Sequence, residues 1–168
     1  DQAGFGYFRN FGRTRRQGAD VDLAGRVGPL TLSAHYTFLD ATYRSAEAVN
    51  GSSNSSNEGP APGFDGEIDI ARGDRIPLIP RHLLKAGVAV DPVQWLTVTA
   101  DMVASAGVIA RGNENGEHEP DGLYYLGEGK TRAYAVLNAG MEVRPARGLA
   151  LYAQVSNVFD KRYATAAQ

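Results

Sequence analysis

Leu149 to Tyr163 read L-A-L-Y-A-Q-V-S-N-V-F-D-K-R-Y. The first eight residues alternate. Leu149, Leu151, Ala153 and Val155 fall on one side, and Tyr152, Gln154 and Ser156 on the other. Successive side chains of a strand point to opposite sides of the pleat, so a period of two predicts one apolar and one polar face. The same grammar runs back through the chain. Leu96, Val98, Ala100, Met102, Ala104 and Ala106 oppose Thr97, Thr99, Asp101 and Ser105. Leu30, Leu32, Ala34, Tyr36 and Phe38 oppose Thr31, Ser33, His35 and Thr37. Ala133 to Val143, Leu84 to Val90 and Val21 to Leu23 repeat the pattern. A helix would spread these apolar positions around its whole circumference.

These runs last about ten residues or more, the length needed to cross a bilayer at a tilt, whereas strands of soluble sandwiches are usually near five or six. The connections also alternate in length. Val27-Gly28-Pro29-Leu30, Asp91-Pro92-Val93-Gln94 and Pro145-Ala146-Arg147-Gly148 are tight turns. Between them lie two long polar segments, Ala46–Pro80 and Gly112–Lys130. The first contains G-S-S-N-S-S-N-E-G-P-A-P-G and is expected to be a low-complexity loop without core-forming residues. Short turns at one end and long loops at the other are the pattern of a transmembrane barrel with its loops outside. Seven strands are expected, the first incomplete: Phe5–Asn10, Arg13–Val27, Leu30–Ser45, His82–Asp91, Trp95–Arg111, Thr131–Arg144 and Leu149–Tyr163. No domain boundary interrupts them.

Composition narrows the function. The 168 residues carry 17 Lys and Arg against 19 Asp and Glu, a net charge of −2, which opposes a nucleic-acid surface. With no cysteine, disulfides, thiolate metal sites and cysteine nucleophiles are excluded. No run reaches the roughly 18 apolar residues of a membrane-spanning helix. Asp1 to Gly18 is polar and basic, without the apolar core of a signal peptide.

Ordered segments then carry a family resemblance. N-V-F-D-K-R-Y (Asn157 to Tyr163) resembles the N-[LV]-F-[DN]-[KR]-x-Y signature of TonB-dependent outer-membrane receptors. F-R-N-F-G-R-T-R-R-Q-G (Phe8 to Gly18), L-S-A-H-Y-T-F-L-D-A-T-Y (Leu32 to Tyr43), I-P-L-I-P-R-H (Ile76 to His82) and K-T-R-A-Y-A-V-L-N-A (Lys130 to Ala139) are similar to other segments of that family, in order. The resemblance implies an all-β fold: an antiparallel up-and-down meander of about six or seven long strands, a partial transmembrane β-barrel. Family barrels have about 22 strands and enclose an N-terminal plug. The chain is accordingly expected to be a C-terminal fragment of the receptor barrel over residues 1–168, with the plug domain and the closing strand absent. The resemblance implies import of a ferric siderophore or similar scarce nutrient across the outer membrane of a Gram-negative bacterium. Its partners would be outer-membrane lipid, the plug, the TonB complex and a ferric chelate, with no nucleic acid, no cofactor and no enzymatic activity. Two other readings stay open: a small independent outer-membrane barrel or adhesin, and a soluble β-sandwich that binds ligands through its loops.

Three polar groupings are candidate sites. Glu114, Glu117, His118, Glu119 and Asp121 could hold a hard cation, but the spacing matches no known metal motif and a solvated acidic loop is the plainer reading. Arg13, Arg15 and Arg16 could meet an anionic ligand or lipopolysaccharide phosphates, or pair with neighbours such as Asp20 and Asp22. His35, Lys85, Asp101, Glu142 and Arg144 fall on the polar, lumenal face, where hydrogen bonds to a plug are the default. They contain no set of nucleophile, base and orienting group, so no catalytic residue is assigned. For ligand binding at the mouth the expectation is Arg111, Tyr124 and Tyr125, which combine a fixed charge with aromatic faces, while an interfacial aromatic girdle or simple loop packing stays an equal alternative for them. No metal ligand is assigned.

Overall fold

The computed structural model describes residues 12–51, 67–118, 120, 122 and 127–166. Six long strands form one antiparallel sheet: β1 (Thr14–Val27), β2 (Leu30–Tyr43), β5 (His82–Val93), β6 (Leu96–Ser105), β7 (Tyr134–Ala146) and β8 (Leu149–Val155). They lie side by side in that order, interrupted in sequence only by a small hairpin, β3 (Glu47–Asn50) and β4 (Glu67–Ile70), within the first long loop. β1 and β8 are the two edges. The extensive contacts between strands are all between hydrogen-bonded neighbours, and among the described residues no second layer lies face to face on the sheet. That arrangement is not the soluble sandwich kept open by the sequence.

Register follows from the turns. β1 and β2 pair without a break from Val27–Leu30 to Thr14–Tyr43 across a turn whose Gly28 sits at φ 58°, a left-handed conformation that suits glycine. The pairings Leu23–Ala34, Ala34–Ala86, Ala86–Met102 and Met102–Leu137 then form one transverse row. The next row is Ala24, Ser33, Gly87, Asp101 and Asn138. Because cross-strand partners share a face, every apolar set read from the sequence lands on the same side of the sheet. That face is uncovered: Leu23 is 66% exposed, Leu151 56% and Val155 57%.

Several strands are shorter than the alternation suggests, β2 ending at Tyr43 and not at Ser45. β6 ends at Ser105 and not at Arg111, because the chain bends to pair Ile109 with Lys130. Gly107 permits this approach, since a Cβ there would collide with the carbonyl of Thr131. β8 ends at Val155, and N-V-F-D-K-R-Y is a turn and not a continuation of the strand. β7 starts at Tyr134 and not at Thr131. β5 and β7 each run two residues past their expected ends, to Val93 and Ala146, because register shifts next to the turns add residues there. The expected first strand, Phe5–Asn10, lies outside the described residues.

Ala46–Pro80 departs furthest from the expected coreless loop. The segment does contribute to the core, for Ile68 and Ile70 in β4 are the most buried large side chains described, each 1% exposed. They alternate with exposed Glu67 and Asp69, so the four-residue run E-I-D-I carries its own strand signal. Together with Ala41, Tyr43, Val108, Ala110 and Val136 they make up the buried apolar set among the described residues, which lies toward the long-loop end.

Candidate binding surface at the long-loop end

All three tight turns lie at one end of the sheet and both long connections at the other. The long-loop end is built rather than loose. Beyond Phe38–His82, where β2 and β5 stop pairing, the segment 74–76 takes over. Tyr43 N–H donates to the Asp74 carbonyl at 2.9 Å, Ile76 N–H to the Ala41 carbonyl at 3.0 Å, and Thr42 forms a bridge with Arg75. Leu78 N–H reaches the Ile109 carbonyl at 3.0 Å, which ties the first long connection to the second.

Asn113, buried at 4% exposure, organises the second connection. Its Nδ2 donates to the Gly129 carbonyl at 2.9 Å, its Oδ1 accepts His118 N–H at 3.0 Å, and its carbonyl accepts Gly116 N–H at 3.0 Å. A side-chain amide can satisfy a loop backbone from both directions, which is why Asn suits this position. His118 Nε2 also lies 2.8 Å from the Gly127 carbonyl. Of the acidic cluster, Glu119 and Asp121 lie outside the described residues. Glu114 accepts Gly112 N–H at 3.0 Å, Glu117 accepts from Asn115 Nδ2 at 3.2 Å, and His118 serves loop closure. Among the described residues no group of three or more His, Asp or Glu stands ready for a metal ion. Nearer β7, the Arg132 guanidinium donates to Glu128 at 2.9 Å and holds its carboxyl below the usual carboxylate range.

Arg111 is exposed in the turn after the Ile109–Lys130 bridge. Tyr124 and Tyr125 lie outside the described residues. Ile68, Ile70 and Asn113, which shape this end, are not among the site residues expected from the sequence. Only the E-I-D-I alternation offered a signal for any of them.

The polar face is laced together along its length. His35 Nδ1 lies 2.6 Å from Asp22, Thr37 Oγ1 donates to Asp20 at 2.6 Å, Asn138 Nδ2 to Asp101 at 2.7 Å, and Arg144 pairs with Glu142 at 2.7 Å. Asn138 Oδ1 also accepts Asn157 N–H at 2.9 Å. Asn157 stands at φ 52°, a left-handed conformation that Asn tolerates, and its side chain brackets Lys161 by two bonds of 2.9 and 3.1 Å. Tyr163 then stacks on Tyr134 with ring centroids 4.5 Å apart. The motif N-V-F-D-K-R-Y is therefore a turn lock beyond β8.

A single antiparallel meander, apolar across one face and hydrogen-bonded across the other, with loop length segregated by end, defines part of a β-barrel wall. The chain belongs to the TonB dependent receptor-like β-barrel family, whose model matches residues 1–158. That family is one of receptors and not of enzymes. In structure the chain is similar to the siderophore receptor PiuA from Acinetobacter baumannii, with a TM-score of 0.67 at 20% identity over 92% of this chain and 19% of that one. A weaker likeness, TM-score 0.40 at 14% identity, covers 88% of the chain and 26% of a mutant ferric enterobactin receptor, PfeA, from Pseudomonas aeruginosa. The chain thus spans about a fifth to a quarter of the length of these receptors. No curated protein matches it.

Proposed function

We propose that this chain is the C-terminal part of the barrel wall of an outer-membrane transporter that imports a ferric siderophore or a similar scarce nutrient. On this reading the apolar face lies in lipid, the laced polar face meets a plug domain, and the long-loop end faces outside. TonB would supply the energy, in a Gram-negative bacterium. The observation that carries the reading is the uninterrupted apolar face. From Leu30 to Phe38 it covers eight steps of about 3.3 Å, or about 20 Å of height at a tilt near 40–45°, close to the ~25 Å lipid-facing band of such barrels. No charged residue occupies that face between Leu30 and Phe38, Leu84 and Val90, Leu96 and Ala104, or Ala135 and Val143. At its loop-side margin Tyr36, Phe38 and His82 group together, with Tyr36 Oη 2.8 Å from His82 Nδ1 and Phe38 5.4 Å from the His82 ring, as expected of an interfacial aromatic girdle. A ligand meets the loops first, and we assign capture to the mouth, with Arg111, Tyr124 and Tyr125 as the contact residues.

The test is cysteine labelling in whole cells that make the complete receptor. Glu117→Cys should react with a membrane-impermeant maleimide from outside, and Arg147→Cys only after the outer membrane is opened. The opposite pattern refutes the topology. Uptake of iron-loaded chelates under iron limitation tests the substrate class, and unchanged uptake after deletion of the receptor gene excludes it.

A further inference from the structure

We infer that the segment 76–80 is a strained clasp, which holds the two long connections together through the bond from Leu78 N–H to the Ile109 carbonyl and opens at Leu78. The inference rests on the placement of both connections at the mouth proposed above. The segment reads I-P-L-I-P. Each proline fixes its own φ and biases the residue before it toward extended backbone, so Leu78 is left as the joint where the chain turns. Leu78 stands at φ 61°. The other two described non-glycine residues with positive φ are Asn157 and Asp160, whose side chains tolerate that conformation. Leucine does not, because its Cβ crowds the following carbonyl oxygen, and glycine or asparagine is the usual occupant of such a turn position after proline. Burial of the side chain does not hold it there either, since Leu78 is 40% exposed.

Backbone bonds hold it. Ile76 N–H donates to the Ala41 carbonyl at 3.0 Å, on the side of β2, and Leu78 N–H donates to the Ile109 carbonyl at 3.0 Å, on the side of the second connection. That connection is zipped to itself around Ile109: Ala110 N–H donates to the Gly129 carbonyl at 2.9 Å and Thr131 N–H to the Val108 carbonyl at 2.8 Å. A run of backbone bonds therefore crosses the rim from β2 toward β7, and Leu78 is its strained link. Lower down, Ala106 N–H meets the His82 carbonyl at 2.9 Å where β5 and β6 leave the sheet. Above that point, among the described residues, the Leu78 bond is the only backbone bond between the two connections. Opening there returns Leu78 to an ordinary conformation at the cost of one hydrogen bond, whereas opening at Ile76 or Thr131 relieves no such strain. Shut, the clasp makes the two connections one body; open, it leaves the second connection held by its own zip.

Hydrogen exchange of the complete receptor in detergent, read residue by residue, tests the clasp. Leu78→Gly removes the left-handed penalty and is expected to slow exchange of the residue-78 amide about fivefold or more, relative to its unstructured rate. Leu78→Ala trims the side chain but keeps the Cβ, so its amide should exchange as in wild type. Leu78→Pro deletes the donor and cannot take a positive φ, so exchange at Ala110 and Thr131 should rise. Equal protection of the residue-78 amide in the Gly and Ala variants overturns the strained joint. Unchanged exchange at Ala110 and Thr131 in the Pro variant overturns the coupling of the two connections. Should Leu78→Pro also lose protection in β2 and β6, it has not folded, and the Gly and Ala variants decide. None of these rates depends on which end of the barrel faces outside, so reversed labelling at Glu117→Cys would refute the proposed topology and leave the clasp standing.

Discussion

An arginine placed at Ala100 should destabilise the barrel strongly, and the same residue at either end of β6 should not. Ala100 sits between Val88 and Ala139 on the apolar face, with Val98 and Met102 two residues to either side. It lies five residues from Trp95 in the tight turn and five from Ser105 at the end of β6, which places it near the middle of the lipid-facing band. A charged side chain at the bilayer midplane costs about 2–4 kcal/mol in such barrels, falling to about 0–1 near the interfaces. Ala100→Arg is therefore expected to cost about 3 kcal/mol, roughly a hundredfold in the folded-to-unfolded ratio, and Leu96→Arg and Ala104→Arg less than about 1 kcal/mol. Gln154→Arg, on the polar face opposite Gly140, should be close to neutral because it never meets lipid. The assay is refolding of the complete receptor into lipid vesicles across a denaturant series, read by the heat-modifiable gel shift. A flat profile along β6, or a Gln154→Arg penalty equal to that of Ala100→Arg, would show that this face does not contact lipid.

Ile68→Ala should remove about 2–4 kcal/mol from the packing that holds the β3–β4 hairpin, since the side chain is fully buried. External protease should then cut between residues 44 and 81 faster in whole cells, with the barrel still inserted. Asn157→Ala loses both bonds to Lys161 and strains the left-handed backbone, whereas Asn157→Gly loses only the bonds, so the alanine variant should melt lower than the glycine one. Asn113→Ala removes the side-chain hydrogen bonds to Gly129 and His118 and should raise amide hydrogen exchange at His118 while leaving β7 protected. Because the folded Glu128 carboxyl titrates below its ordinary range, its pairing with Arg132 acts above that range and is lost as the pH falls through the lowered value. Arg132→Gln should leave the melting midpoint at neutral pH unchanged, because the pair is solvent-exposed.

By itself, the sequence determined the sheet. A period of two sustained over Leu30 to Phe38 and Leu96 to Ala104 permits one assignment of faces. Tight turns such as Val27 to Leu30 fix the register, because slipping by one residue would exchange the faces. It also held the family, in N-V-F-D-K-R-Y and the ordered segments before it. The role of Asn157 did not follow from alternation, which breaks at this residue and says nothing of the path the backbone then takes. Only the tertiary structure showed that a left-handed Asn locks the turn to Lys161 and Asn138. Ile68 and Ile70 were hidden for a related reason: a four-residue strand carries little periodic signal, and its partner Glu47–Asn50 lies across a polar stretch that gives no pairing cue. The row Arg15, Thr42 and Arg75 depended most on three dimensions. Arg15, Thr42 and Arg75 are 27 and 33 residues apart in sequence, and they meet only because antiparallel pairing returns the chain to the same height twice.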